Sequence, residues 1–251
     1  MTGDRSEGPS GPSSASSAAH AGVQPGAGRP ITIAHRAANG RDTLERALSI
    51  SVDAVEADLR WDGGRIVARH TRRFPFLPLY WDRWSVRFDR RPQLTLDEIL
   101  ERTRGRVRPY LDLKTLALPF LPALLEALRR HKAVGDVEIS SEYWSQLAEL
   151  RRAEPGLRLF RTVGDERQRA AFLALPSDDP LQAGVAIHRD LLDEELAALF
   201  RARDVMVYVW GVEDVEQATA VLRRGATGII ADSLELLQAL KGGAANVAVE
   251  P

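Results

Sequence analysis

Between residues 31 and 241 the chain alternates between short runs of β-type residues and longer runs with apolar positions three and four apart. The short runs are "ITIAH" (31–35), "AVEADLR" (54–60), "RPYLDLK" (108–114), "DVEISS" (136–141), "LRLFRT" (157–162), "AGVAIH" (183–188), "VMVYVW" (205–210) and "GIIAD" (228–232). Helical stretches such as "TLERALSIS", "PFLPALLEALRRH" and "VEQATAVLRRG" lie between them. A further run, "RIVARH" (65–70), follows "DGG" and reads as a hairpin partner of the second strand, because two glycines suit a tight reversal. "TLDEILERT" opens with Thr95 and carries Glu98 three residues on, which predicts a capped helix start. Eight strands, each followed by a helix or by a connection containing one, predict an α/β chain folded as a closed (β/α)8 TIM barrel, with a short hairpin and loop insertion after the second strand. An open doubly wound sheet is the alternative, and no glycine-rich phosphate loop follows the first strand to favour it.

That architecture makes the C-terminal strand ends the place to look for chemistry. They carry His35-Arg36, Glu56 and Asp58, Asp112 and Lys114, Ser140-Ser141, Arg161, His188, Trp210 and Asp232. Glu56 and Asp58 are two apart, so they share one strand face roughly 7 Å apart along the chain. With Asp112 they form a candidate ligand set for a hard cation, Mg²⁺ or Ca²⁺ before Zn²⁺; plain ion pairs with rim arginines are the competing reading. His35 and His70 each end a β-type run beside an arginine and are candidates for general acid/base work. Lys114 either stabilises phosphate charge or neutralises Asp112. Trp210 either walls a pocket or fills the core, and Asp232 either supports the site or caps the last helix. His188 is expected to be structural, and His20 and His131 carry no role.

Composition narrows the classes. Of 251 residues, 34 are Lys or Arg and 35 are Asp or Glu, so bulk charge gives no support for nucleic-acid binding. The absence of cysteine excludes disulfides, thiolate metal sites and a cysteine nucleophile, and fits a cytoplasmic setting. No apolar run reaches the ~18 residues of a membrane span. Residues 1–30, rich in Gly, Ser, Pro and Ala without an apolar core, are expected to form a disordered tail, residues 31–241 the barrel domain and 242–251 a flexible end. "TRRFPFLPLYWDRWSVRF" (71–88) has no clean period. Its aromatics are expected to pack on the barrel rim, with a lid or a transient lipid contact through residues 74–84 as the alternative.

Taken in order, "AHR" (34–36), "VEADL" (55–59), "DGGRIVARH" (62–70), "LDLK" (111–114), "VYVWGVED" (207–214) and "GATGIIADS" (225–233) resemble the glycerophosphodiester phosphodiesterase family of PLC-like phosphodiesterase TIM barrels. "LPLYWDRW" looks like its compact bacterial members. The resemblance implies a phosphoric diester hydrolase that converts small-molecule glycerophosphodiesters to sn-glycerol 3-phosphate and an alcohol. It implies one divalent cation on Glu56, Asp58 and Asp112, His35 and His70 as general acid and base, Arg36 and Lys114 on the phosphate, and Trp210 in the substrate pocket. The chain departs from the family pattern at Ala37, at "GRDT" (40–43) and at Thr71. "LDLKT" is closer to the sphingomyelinase D/phospholipase D relatives, which implies as an alternative a (lyso)phospholipid substrate and a cyclic phosphate product; a non-catalytic phosphate-binding barrel is a third.

Overall fold

In the computed structural model, which describes residues 29–73, 79–82, 85–88, 93–176, 179 and 184–243, eight parallel strands close on themselves. They are β1 (Ile31–Ala34), β2 (Ala54–Asp62), β7 (Arg108–Leu113), β8 (Glu138–Ser141), β9 (Arg158–Val163), β10 (Gly184–His188), β11 (Met206–Trp210) and β12 (Gly228–Ala231). β12 pairs with β1, and β1 pairs with β2, so no open edge is left. The hairpin strand β3 (Arg65–Ala68) lies antiparallel to β2, with Leu59 opposite Ala68. It leads into a small antiparallel sheet of β4 (Arg72–Arg73), β5 (Leu79–Asp82) and β6 (Ser85–Phe88). Residues 1–28 of the tail expected at 1–30, most of the C-terminal one, and the side chains proposed for lipid contact at 74–84 lie outside the described residues, whereas Arg29 is held to the barrel by two 2.7 Å hydrogen bonds to Asp53.

Helices α1 (Arg41–Ser49), α2 (Leu96–Thr103), α3 (Phe120–Arg130), α4 (Trp144–Ala153), α5 (Glu166–Leu173), α6 (Glu194–Ala202), α7 (Val215–Arg223) and α8 (Leu234–Lys241) surround the barrel. Thr95 caps α2 in the reciprocal box with Glu98 that the sequence predicts. Among the described residues no helix is long and apolar enough to cross a membrane.

Because side chains alternate along a strand, each barrel strand sends every second residue inward. On β7 that column is Arg108, Tyr110 and Asp112; on β8, Glu138 and Ser140; on β9, Arg158, Phe160 and Thr162. The interior is therefore stacked in levels. At the N-terminal end, fully buried Glu138 lies 3.1 Å from Arg108 Nη1 and 2.9 Å from Arg158 Nη2, and accepts from the Tyr208 hydroxyl at 3.0 Å. Above it the rings of Phe160 and Tyr208 stack at 4.6 Å, with Tyr110 edge-on to Phe160 at 5.7 Å. These rings plug the barrel and form the floor beneath the polar C-terminal end. They fit because the neighbouring strands supply small residues: a Cβ at Gly184 would fall 2.1 Å from Phe160 Cε1. Gly184→Ala is accordingly expected to lower the unfolding free energy by ~1–3 kcal/mol, the usual cost of overpacking. Urea denaturation reads this directly, and an unchanged midpoint would show that the Phe160 ring has room to turn.

Candidate active site

The site grows out of the inward columns of β1, β2 and β7 where they pass above the aromatic floor. In the β2–β7 register Asp58 stands opposite Asp112, and Glu56 lies one inward step below Asp58. One oxygen from each of Glu56, Asp58 and Asp112 lies within 4.8 Å of the others, and all three residues are buried. Directly after β1, Arg36 takes a left-handed backbone (φ 52°), which turns its N–H onto Glu56 Oε2 at 3.1 Å. Three residues later Asn39 grips Asp58 twice: Nδ2 donates to Oδ2 at 2.7 Å, and Oδ1 accepts from the Asp58 N–H at 2.9 Å.

Three buried carboxylates need positive charge nearby. Lys114 Nζ supplies it at 2.5 Å from Asp112 and 3.9 Å from Asp58, and Arg36 Nε lies 3.6 Å from Asp58. The neutralisation is uneven. Burial pushes the Glu56 carboxyl up to about 7; His35 opposes this, and Asp58 and Asp112 add to it. Burial also raises the Asp112 carboxyl, against the pull of Lys114. Burial would raise Asp58 too, but His70, Lys114 and Asn39 overcome it and hold that carboxyl well below the usual range. Asp112 Oδ1 is buried with no hydrogen-bond partner. A bound cation would satisfy that oxygen and relieve the repulsion, and an all-carboxylate donor set suits Mg²⁺ or Ca²⁺. The residues fit such an ion.

The two histidines flank the acids with different partners. His35 Nδ1 lies 2.8 Å from Asp232 Oδ1, and its Nε2 lies 3.4 Å from Glu56 Oε2. Burial would lower the His35 pKa, but Asp232 and Glu56 outweigh it and raise it, which favours imidazolium. His70 Nδ1 lies 3.3 Å from Asp58 Oδ2, while its Nε2 lies 3.1 Å from Arg36 Nη2. A guanidinium can only donate, so in this contact the Nε2 of His70 is the acceptor.

The two histidines, the three acids, Arg36 and Lys114 line a cavity of about 610 Å³, whose other wall is formed by Ser140, Glu142, Thr162, Ala186 and Trp210. All eight site residues expected from the sequence reach it. Asp232 holds His35, and the capping of α8 falls to Ser233. Other strand-end polar groups are not brought in: Ser141 turns outward to Gln146, and Arg161 to Asp179 and the Trp144 ring. His188 packs edge-on behind Trp210 at 4.5 Å. Sequence reasoning missed Asn39 and Arg60. Asn39 sits in a short 3-10 turn whose geometry no periodicity reveals, whereas Arg60 was readable as the next inward step after Glu56 and Asp58.

No protein-family model matches the chain, and no curated protein does. Solved structures do match in fold. A glycerophosphodiester phosphodiesterase from Parabacteroides distasonis superposes with a TM-score of 0.68 at 18% identity, over 86% of this chain and 100% of that one. An Oleispira antarctica phosphodiesterase in complex with the product sn-glycerol-3-phosphate gives 0.68 at 18% identity, over 86% and 97%. A glycerophosphodiester phosphodiesterase from Agrobacterium tumefaciens gives 0.65 at 18%, over 85% and 100%. At such identity the likeness is one of fold, the (β/α)8 TIM barrel.

Proposed function

We propose that the chain belongs to the glycerophosphodiester phosphodiesterases and hydrolyses small-molecule glycerophosphodiesters to sn-glycerol 3-phosphate and an alcohol, in a cytoplasmic setting. The observation that carries this reading is the convergence of Glu56, Asp58 and Asp112 within 4.8 Å, with one histidine against Glu56 and the other against Asp58. Glu56, Asp58 and Asp112 would hold one divalent cation, Mg²⁺ or Ca²⁺, which when bound offsets charge on the phosphodiester oxygens. Arg36 would exchange its contact with His70 for a phosphate oxygen, and Lys114 would face the same charge from the β7 side.

The two histidines divide the proton work. Freed of Arg36, the Nε2 of His70 has a lone pair and takes the proton of the substrate's neighbouring glycerol hydroxyl as its oxygen bonds to phosphorus. His35, held charged by Asp232, gives its Nε2 proton to the departing alkoxide as the phosphorus–oxygen bond breaks. The cyclic phosphate so formed is opened by water with the two roles reversed. The test is release of sn-glycerol 3-phosphate from glycerophosphocholine or glycerophosphoethanolamine. EDTA is expected to abolish it and Mg²⁺ or Ca²⁺ to restore it; activity indifferent to EDTA would remove the cation from the reading.

One observation favours a second substrate class. The loop between β7 and α3, which begins at the site's own Lys114, exposes Leu118 at 94% and Leu116 at 61%. Large apolar side chains beside the mouth suit a (lyso)phospholipid whose acyl chain lies across the rim. Phosphorus NMR separates the two: a persistent cyclic phosphate from a lysophospholipid supports the lipid reading, and glycerol 3-phosphate from water-soluble diesters supports the first.

A further inference from the structure

Arg60 follows Glu56 and Asp58 on the inward face of β2, and its side chain lines the cavity at the rim. Its guanidinium reaches two backbone carbonyls. Nε and Nη2 donate to the carbonyl of His70 at 3.2 and 3.0 Å, and Nη1 donates to the carbonyl of Lys114 at 2.6 Å. Both carbonyls lie where the chain has just left the sheet. The Arg69 N–H still donates to Asp58 O, and the Lys114 N–H to Leu59 O. At the next step each segment turns away from β2, and Arg60 meets it there.

We propose that Arg60 is a positioning residue that locks the His70 and Lys114 segments to β2, and so fixes the imidazole and the ammonium relative to Asp58. The planar fork of a guanidinium can bridge two carbonyls on different segments, whereas a lysine ammonium on a flexible stem cannot hold the same angles. His70 is the base and Lys114 a phosphate-facing cation in the function proposed above, and the inference rests on that reading for its catalytic meaning. The clamp itself does not. A shift of about 1 Å in such groups costs on the order of 10²-fold in rate, so a clamp of this kind acts on turnover more than on binding.

The experiment uses the full chain and the variants Arg60→Ala and Arg60→Lys. Hydrogen exchange is followed by mass spectrometry over peptides covering 69–71 and 114–117, with 54–59 as the internal reference. Exchange is expected to quicken in both outer segments while β2 keeps its protection. With glycerophosphocholine as substrate, Arg60→Ala is expected to lower kcat by ~10–100-fold, the range for groups that orient active-site residues. KM is expected to change by less than about threefold, the split that marks loss of transition-state geometry. Added guanidinium ion should restore part of kcat to Arg60→Ala, and Arg60→Lys should recover only a fraction. Unchanged exchange in both segments would overturn the clamp. A raised KM with unchanged kcat would overturn the positioning role and make Arg60 a substrate-binding group. If the wild-type chain hydrolyses no diester, the functional reading fails while the exchange data still decide the clamp. Should Arg60→Ala not fold, Arg60→Lys carries the same exchange measurement.

Discussion

Asp58→Asn is expected to lower kcat/KM toward glycerophosphodiesters by on the order of 10³-fold or more, because general-base catalysis and charge stabilisation each contribute about 10²–10⁴. Asp58 is where the site's contacts meet. It stands against His70 at 3.3 Å, Arg36 at 3.6 Å, Lys114 at 3.9 Å and Asn39 at 2.7 Å, and one of its oxygens lies within 4.8 Å of those of Glu56 and Asp112. Asn keeps the shape, and its carbonyl oxygen can still accept from Asn39. The substitution therefore removes one charge and little else.

That charge works against its acidic neighbours, Glu56 and Asp112. It helps to push the Glu56 carboxyl up to about 7 and raises Asp112 as well. Without it, the Glu56 midpoint should fall, which carbon NMR of the side-chain carboxyl would show, and thermal stability at neutral pH should drop while the fold is kept, because His70, Lys114 and Asn39 favour the charged Asp58 in the folded state. The same variant should lose most of the stabilisation that added Mg²⁺ or Ca²⁺ gives the wild type by binding the folded state. Retained turnover would refute the role of Asp58. A lost fold would return the acidic pair to a structural purpose.

Much of this was legible in the sequence, and the reason is the period of two. "VEADLR" places Glu56 and Asp58 on one face whatever the rest of the chain does, and the strand–helix alternation sets that face at a barrel mouth. Its pairing with Asp112 needed only that "LDLK" be a neighbouring parallel strand. Alternation does not say which of two adjacent polar residues points inward, so Ser140 and Ser141 read alike, and Arg161 reads as the rim group where Thr162 is the one that lines the cavity. The structure turns one of each pair to the helices. Asn39 depends on the left-handed turn at Arg36, a local conformation with no composition signal. The ionic group at the barrel floor was illegible for a third reason. Arg108, Glu138 and Arg158 lie at the starts of three strands, and only the register Tyr110–Glu138–Arg158 brings them together.

That floor carries the largest expected effect on stability. Glu138→Ala is expected to cost about 3–5 kcal/mol, the range for breaking a buried ion pair from one side. Arg108 is 11% exposed and would lose its acid, Arg158 at 34% would be eased by water, and the Tyr208 hydroxyl would lose its acceptor. Glu138→Gln is a different experiment, since its carbonyl oxygen still accepts from Tyr208 and Arg108. Burial raises the Glu138 carboxyl above its ordinary value even though Arg108 and Arg158 pull it down. The folded protein therefore binds this proton more readily than the unfolded chain does. The resulting stability is fully present below the unfolded pKa and is lost as the pH rises through the folded one. Glu138→Gln does not titrate, so the stability difference between wild type and this variant isolates the group. Wild type should gain on the variant as the pH is lowered from 7 into the carboxylate range, read as urea midpoints across that series. A difference moving the opposite way would mean that the two arginines outweigh burial, and that the floor is held together by charge.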